Sequence, residues 1–231
     1  MLTGRQLYGL EQTHIEVDEC GHGLHPDCRV AWERLQAQGR EQGFELRIVS
    51  AFRSFERQLA IWNGKAKGQR PLLDDTGQAL DSACLTPRQL IHAILRFSAL
   101  PGASRHHWGS DLDIYDAAAV PEDYQVQLTA AEVASGGVFG PMHDWLDQQL
   151  AHDRDFGFFR PYDRDRGGVA PERWHLSYQP LANRCQATVS VEQLGAVLAD
   201  AQLELKRELL PMLPEIYRRY VTQPYRNYAH L

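Results

Sequence analysis

The sequence has no long hydrophobic run. No apolar stretch approaches the roughly 20 residues that carry a helix across a bilayer, so no membrane span is expected. The opening stretch, MLTGRQLYGLEQTHIEV, lacks the apolar centre of a secretory signal, which makes a cytoplasmic location the expectation. Cysteine is scarce. Cys20, Cys28, Cys84 and Cys185, spread over 231 residues, do not make a disulfide framework. Basic runs are missing and the net charge is −6, so nucleic acid is not an expected partner. Repeats and low-complexity segments are also missing. What remains has the make-up of an ordinary globular chain, with 43% hydrophobic and 23% charged residues. Its length suits one domain, or one domain with a helical appendage.

Helix signals are plentiful. Pro26 suits the first turn of a helix over PDCRVAWERLQAQGREQG, where Val30, Ala31, Leu35 and Gln38 recur at helical spacing and Gly39 and Gly43 mark the end. Ser54 caps FERQLAIWNGKAKG, stopped at Gly64 or Gly68. Thr86-Pro87 opens PRQLIHAILRFSAL, and Thr129 opens a shorter helix followed by GPMHDWLDQQLAHD. Residues 189–231 read as helical, with Pro211 and Pro214 expected to kink or split the last part. Three segments read as strands: FELRIVSAF (44–52), DLDIYD (111–116) and WHLSYQP (174–180). Residues 70–87 and 155–172 read as loops. Strands scattered among helices, without regular alternation, predict an α+β fold around a small, mostly antiparallel sheet.

The chemistry concentrates in SRHHWGSDLDIYD, 104–116, which holds two histidines and three aspartates. A hydrolytic zinc site needs three protein ligands and an open position for water. Gly109 lets the chain turn, so a histidine before it can face an aspartate on the strand after it. On that strand Leu112 and Ile114 are expected in the core, with Asp111, Asp113 and Tyr115 on the opposite, wet face. Spacing alone does not choose between Asp111 and Asp113, or between His106 and His107.

Two further clusters bear on this. PERWHLSYQP places Glu172 three residues before His175, at the mouth of a strand. The histidine suits a third ligand, and the glutamate suits a base held beside metal-activated water. The plainer alternative for Glu172 is a solvated loop acid paired with Arg173. In VSAFRSFERQ, Arg53 sits where a strand hands over to a helix, able to present its fork to a carboxylate or a polarised carbonyl. Two decoys stand beside these. CGHGLHPDC (20–28) matches no usual zinc spacing and is read as buried small cysteines leading into a helix. YDRDRGG (162–168) is read as a solvated loop beside the cleft.

Taken together, SAFRS (50–54), SRHHWGSDLD (104–113) and ERWH (172–175) resemble the zinc D-alanyl-D-alanine carboxypeptidases of the VanY type, grouped with lysostaphin-like and hedgehog domains. The pattern S-x-H-x-x-G-x-x-x-D falls on Ser104, His106, Gly109 and Asp113, and E-x-W-H on Glu172, Trp174 and His175. The resemblance covers about residues 24–180. It implies a D,D-peptidase-like fold, expected over 1–188; it does not cover 189–231, which are read from their residues as a helical extension packed on that domain. It implies one zinc ion bound by His106, Asp113 and His175, with Glu172 as catalytic base. Arg53 would steady the oxyanion or the substrate carboxylate, and Ser104 would hydrogen-bond the substrate. The sequence departs from the pattern at Ala51-Phe52, which stand for Gly-Tyr. It departs again at Asp111, where a small residue is usual; Asp111 would orient a ligand histidine or read a cation on the substrate. The implied partner is a peptidoglycan peptide or muropeptide, a substrate class that also fits a periplasmic or exported location. The implied activity is D,D-carboxypeptidase. Alternatives are an endopeptidase, an L,D-carboxypeptidase or a non-catalytic binder that keeps the zinc site.

Overall fold

The computed structural model describes residues 1–75, 77–152 and 156–222. The chain opens with α1 (Gly4–Leu7) and a hairpin of β1 (Glu16–Val17) and β2 (Gly23–Leu24), followed by α2 (Pro26–Glu41), β3 (Leu46–Ser50) and α3 (Phe55–Ala66). A second hairpin, β4 (Leu72–Leu73) and β5 (Ala79–Leu80), precedes α4 (Pro87–Phe97). Then come β6 (Asp111–Asp116), α5 (Ala130–Val133), α6 (Gly140–Ala151), β7 (Phe158–Phe159) and β8 (His175–Tyr178). The described chain closes with α7 (Gln179–Thr188), α8 (Val191–Asp200) and α9 (Lys206–Ile216), which runs into a π-helical turn at Tyr217–Val221.

The local signals placed most helices. His25, Ser54, Thr86 and Thr129 each accept a backbone N–H at a helix start, and Pro26 and Pro87 occupy first turns. Several expectations need correction. Gly39 lies inside α2 rather than ending it, packed on Leu46, and Val30 is exposed while Trp32 is buried. The loops at 70–87 and 155–172 contain β4, β5 and β7, each only two residues long. Helix α7 carries no strong periodic pattern and was not expected. Helix α9 runs unbroken through Pro211 and Pro214, because Leu209, Met212, Leu213 and Ile216 form a buried stripe that holds it. Residues 76, 153–155 and 223–231, which fall within the expected loops and extension, lie outside the described residues.

The main sheet has the order β3-β6-β8-β7 and every pairing is antiparallel. One face is apolar. Leu46, Ile48, Leu112, Ile114 and Leu176 pack there against Ala31, Trp32 and Leu35 of α2 and Met142 and Leu146 of α6. A second core joins α3, α4, α7, α8 and α9 through Trp62, Ile91, Ile94, Leu194, Leu209 and Ile216. The segment after residue 189 therefore shares its apolar interior with the preceding helices. Strand register then sets the polar face. Asp113 stands opposite Ser50 on one side and His175 on the other, while Asp111 stands opposite Ser177.

Candidate metal centre and substrate cleft

His106 lies in a short 3-10 turn, Arg105–Trp108, that ends at Gly109 with φ +70°. A Cβ at Gly109 would sit 2.7 Å from the backbone nitrogen of His25, so only glycine closes this turn. The turn brings His106 back over the strand residue Asp113, with Nε2 3.6 Å from Oδ2. His175 Nδ1 lies 3.0 Å from Asp113 Oδ1 across the strand pair. One ligand atom from each of His106, Asp113 and His175 falls within 4.8 Å of the others, and all three residues are buried.

The outer nitrogens of both imidazoles are tied down. His106 Nδ1 donates to the Ala51 carbonyl at 2.7 Å, and His175 Nε2 donates to Asp111 Oδ2 at 2.8 Å. Both inner nitrogens are thereby left with lone pairs directed at Asp113. Asp113 Oδ1 is buried and makes no hydrogen bond among the described residues. Three lone-pair donors facing one another repel unless a cation lies between them, so the set fits a divalent ion of the zinc type. Burial lowers the His175 pKa, but the hydrogen bond to Asp111 and the negative charge of Asp113 beside it outweigh this and raise it to about 10. Burial holds His106 down at about 4.

Glu172 sits just outside this group, with Oε2 3.5 Å from His175 Nδ1. It is not the solvated partner of Arg173, which pairs instead with Asp144 at 2.6 Å and Asp147 at 2.5 Å. Burial, with the nearby Asp113 charge, raises the Glu172 carboxyl to about 7 against the opposing pull of His175, Arg53 and Lys65.

The centre opens into a cleft of about 510 Å³ lined by Arg53, Ser104, His106, Asp113, Glu172 and His175 among others. Arg53 is held by Ser50 Oγ at 3.0 Å and Gln58 Oε1 at 2.8 Å. The Ser104 hydroxyl is buried and has no hydrogen-bond partner among the described residues.

Asp111 does not face this cleft. It is fully buried and surrounded: Arg105 Nε donates to Oδ2 at 2.7 Å and Ser177 Oγ to Oδ1 at 2.8 Å. Burial would raise its pKa, but Arg105 and His175 hold it well below the usual carboxylate range. The expectation of a wet face at Asp111 and of a substrate contact there is therefore corrected, because the neighbouring strand and Arg105 seal that end of the sheet. His107 is also fully buried and serves the backbone: Nδ1 donates to the Arg53 carbonyl at 2.5 Å and Nε2 accepts from the Gly102 amide at 3.1 Å.

Two residues of the site were missed in the sequence. Gln58 orients Arg53 and donates to the Ala99 carbonyl at 2.7 Å; its signal was a polar residue in the buried stripe Phe55-Gln58-Trp62. Tyr162 packs edge-on to His175, ring centroids 5.0 Å apart, and carried no local signal. Its loop is pinned, with Asp165 paired to Arg96 at 2.6 Å and Gly167 O accepting from Arg219. In the other decoy, Cys28 is buried but Cys20 is exposed, and His25 caps α2. Asp18, Cys20 and His22 gather on the exposed β1–β2 turn, where the Asp18 carboxylate accepts from the His22 amide at 2.7 Å.

Comparison with known proteins places this geometry. Over 103 residues the chain is 44% identical to an uncharacterized protein of Haemophilus influenzae, covering 43% of this chain and 68% of that one. Its fold is similar to VanYB in complex with D-alanyl-D-alanine, at a TM-score of 0.50 and 20% identity, over 78% of this chain and 86% of that one. It is also similar to a glutamate-to-alanine variant of the vancomycin-resistance D,D-pentapeptidase VanY in complex with Zn(II), at a TM-score of 0.50 and 20% identity, over 84% and 88% of the two chains. The family model of VanY, D-alanyl-D-alanine carboxypeptidase, matches residues 21–181, a span that holds His106, Asp113, Glu172 and His175, and the chain belongs to that family.

Proposed function

We propose that the protein is a zinc-dependent D-alanyl-D-alanine carboxypeptidase acting on peptidoglycan peptide or on muropeptides. The observation that carries this reading is the meeting of His106, Asp113 and His175 beside a half-buried carboxylic acid, Glu172, in one cleft. Membership of the VanY family supports it. So do the ligands of the two similar structures, D-alanyl-D-alanine and Zn(II).

Bound zinc supplies Lewis acidity and lowers the pKa of water by several units. His106 offers Nε2 and His175 offers Nδ1, each aimed by its anchored outer nitrogen, and Asp113 offers carboxylate oxygen. Glu172 takes the proton from the attacking water and returns it to the leaving amine nitrogen. Its burial keeps the acid and base forms close in energy, as a two-way proton carrier requires. Arg53, braced by Ser50 and Gln58, turns its guanidinium to the developing oxyanion, and the unpartnered Ser104 hydroxyl bonds the substrate. Asp111 acts through His175 as a positioning residue. A half-buried base beside the ligand group favours hydrolysis over a binding-only role, which has no need of Glu172.

The test is incubation of the zinc-loaded protein with defined muropeptides, with products identified by mass. Loss of one terminal alanine is expected. Intact substrates would overturn the reading.

A further inference from the structure

The cleft carries more positive charge than its own residues neutralise. Arg53, Lys65, Arg70 and Arg105 line it, against two carboxylates, Asp113 and Glu172, both at the metal group. Arg105 is already paired with Asp111. Lys65 differs from the lysine two residues on, Lys67, which reaches Glu204 at 3.1 Å. It stands one turn beyond Ile61 on the face of α3 that lines the cleft, is half-buried, and makes no ion pair or hydrogen bond among the described residues. Burial lowers its pKa to about 8, aided by Arg70 and Arg53 and opposed by Glu172. A partly desolvated ammonium beside two guanidinium groups is unfavourable unless an anion arrives to meet it.

We propose that Lys65 is a specificity residue that binds a free carboxylate of the substrate peptide within the cleft. The carboxylate is either the C-terminal one, which makes the enzyme an exopeptidase, or one borne by an acidic residue upstream of the scissile bond. The identity of the ligand as a peptide rests on the peptidase reading above. A divalent ion at the metal group adds to the positive field and strengthens the same preference.

Binding can be measured by titration calorimetry on the zinc-loaded full chain carrying Glu172→Gln, which halts turnover. The probes are diacetyl-L-lysyl-D-alanyl-D-alanine as free acid and as C-terminal amide. A second pair has a γ-linked D-glutamyl residue upstream, with its carboxylate free or amidated. With Lys65 present, a free acid binds at least tenfold tighter than its amide. Lys65→Met abolishes that preference while amide affinity and zinc content stay unchanged, and Lys65→Arg restores part of it. Collapse in the first pair identifies the terminal carboxylate; collapse in the second identifies the upstream one. An equal loss on acid and amide overturns the proposal. So does an intact acid preference in Lys65→Met, or no binding by the Lys65 protein. Failure of the peptidase reading is separate: it appears as no alanine release by the zinc-loaded wild type, whatever the binding results.

Discussion

Asp111 and Asp113 are the same residue type, two positions apart, on one face of one strand, yet their surroundings are opposite. Asp113 lies at the cleft end, between two imidazole lone pairs, with one oxygen bonded to nothing among the described residues. Asp111 lies at the sealed end, where Arg105, Ser177 and His175 fill its coordination. The first is an unfinished electrostatic site that calls for a cation. The second is a finished one that aims a neighbour. Their identity does not separate them; register and the strand partners do.

The comparison can be broken from the cleft end first. His106→Ala removes one of three ligands, and both zinc and hydrolysis should be lost, read by metal analysis and alanine release. Glu172→Ala should retain zinc but lose about 10²- to 10⁴-fold in rate, the range typical of a general base. Full activity in that variant would remove Glu172 from the mechanism.

The sealed end should respond differently. Asp111→Asn is expected to weaken zinc binding by about 10- to 100-fold through His175, as measured by chelator competition. It should also lower the melting temperature, since it removes the carboxylate charge that meets the buried Arg105 at 2.7 Å. Unchanged zinc affinity would reduce Asp111 to a structural ion pair. Protons compete for the same inner nitrogen. His175 in the chain alone has its pKa raised to about 10, so at neutral pH a metal ion must displace a proton from it. Apparent zinc affinity should therefore rise with pH, by about tenfold per unit for one proton released, between pH 6 and 8. A flat profile would mean that His175 is already neutral.

The smallest effect serves as the control for burial. Arg88 and Glu215 also form a close pair, at 2.7 Å, but their side chains are 62% and 36% exposed against 5% and 0% for Arg105 and Asp111. Glu215→Ala should cost under about 1 kcal/mol in chemical denaturation. A loss matching that of Asp111→Asn would mean that burial does not distinguish the two pairs.

Much of the scaffold was readable from local signals. Caps at Ser54, Thr86 and Thr129 are short-range chemistry between a side chain and the amides just after it, so they are written where they act. The alternation in DLDIYD put Leu112 and Ile114 in the core for the same reason. Elements without such a local cause were not readable. Strands of two residues, such as β7, exist because a neighbour supplies their hydrogen bonds. The unbroken path of α9 through two prolines depends on packing against other helices. Tyr162 reaches His175 through a loop tied to α4, to Arg219 and, by its own carbonyl, to the Glu172 amide at 2.9 Å.

By itself the sequence determined the candidate residues, since donor type and the Gly109 turn are properties of the chain, and its resemblance to the VanY type chose His106 and Asp113 among them. The tertiary structure alone decided how each is used: which aspartate is open and which is sealed, which nitrogen of His175 faces Asp113, that Gln58 braces Arg53, and that Lys65 makes no ion pair among the described residues. The physical reason is that roles of this kind depend on desolvation and on partners distant in sequence, and both exist only once strands and helices have closed around them.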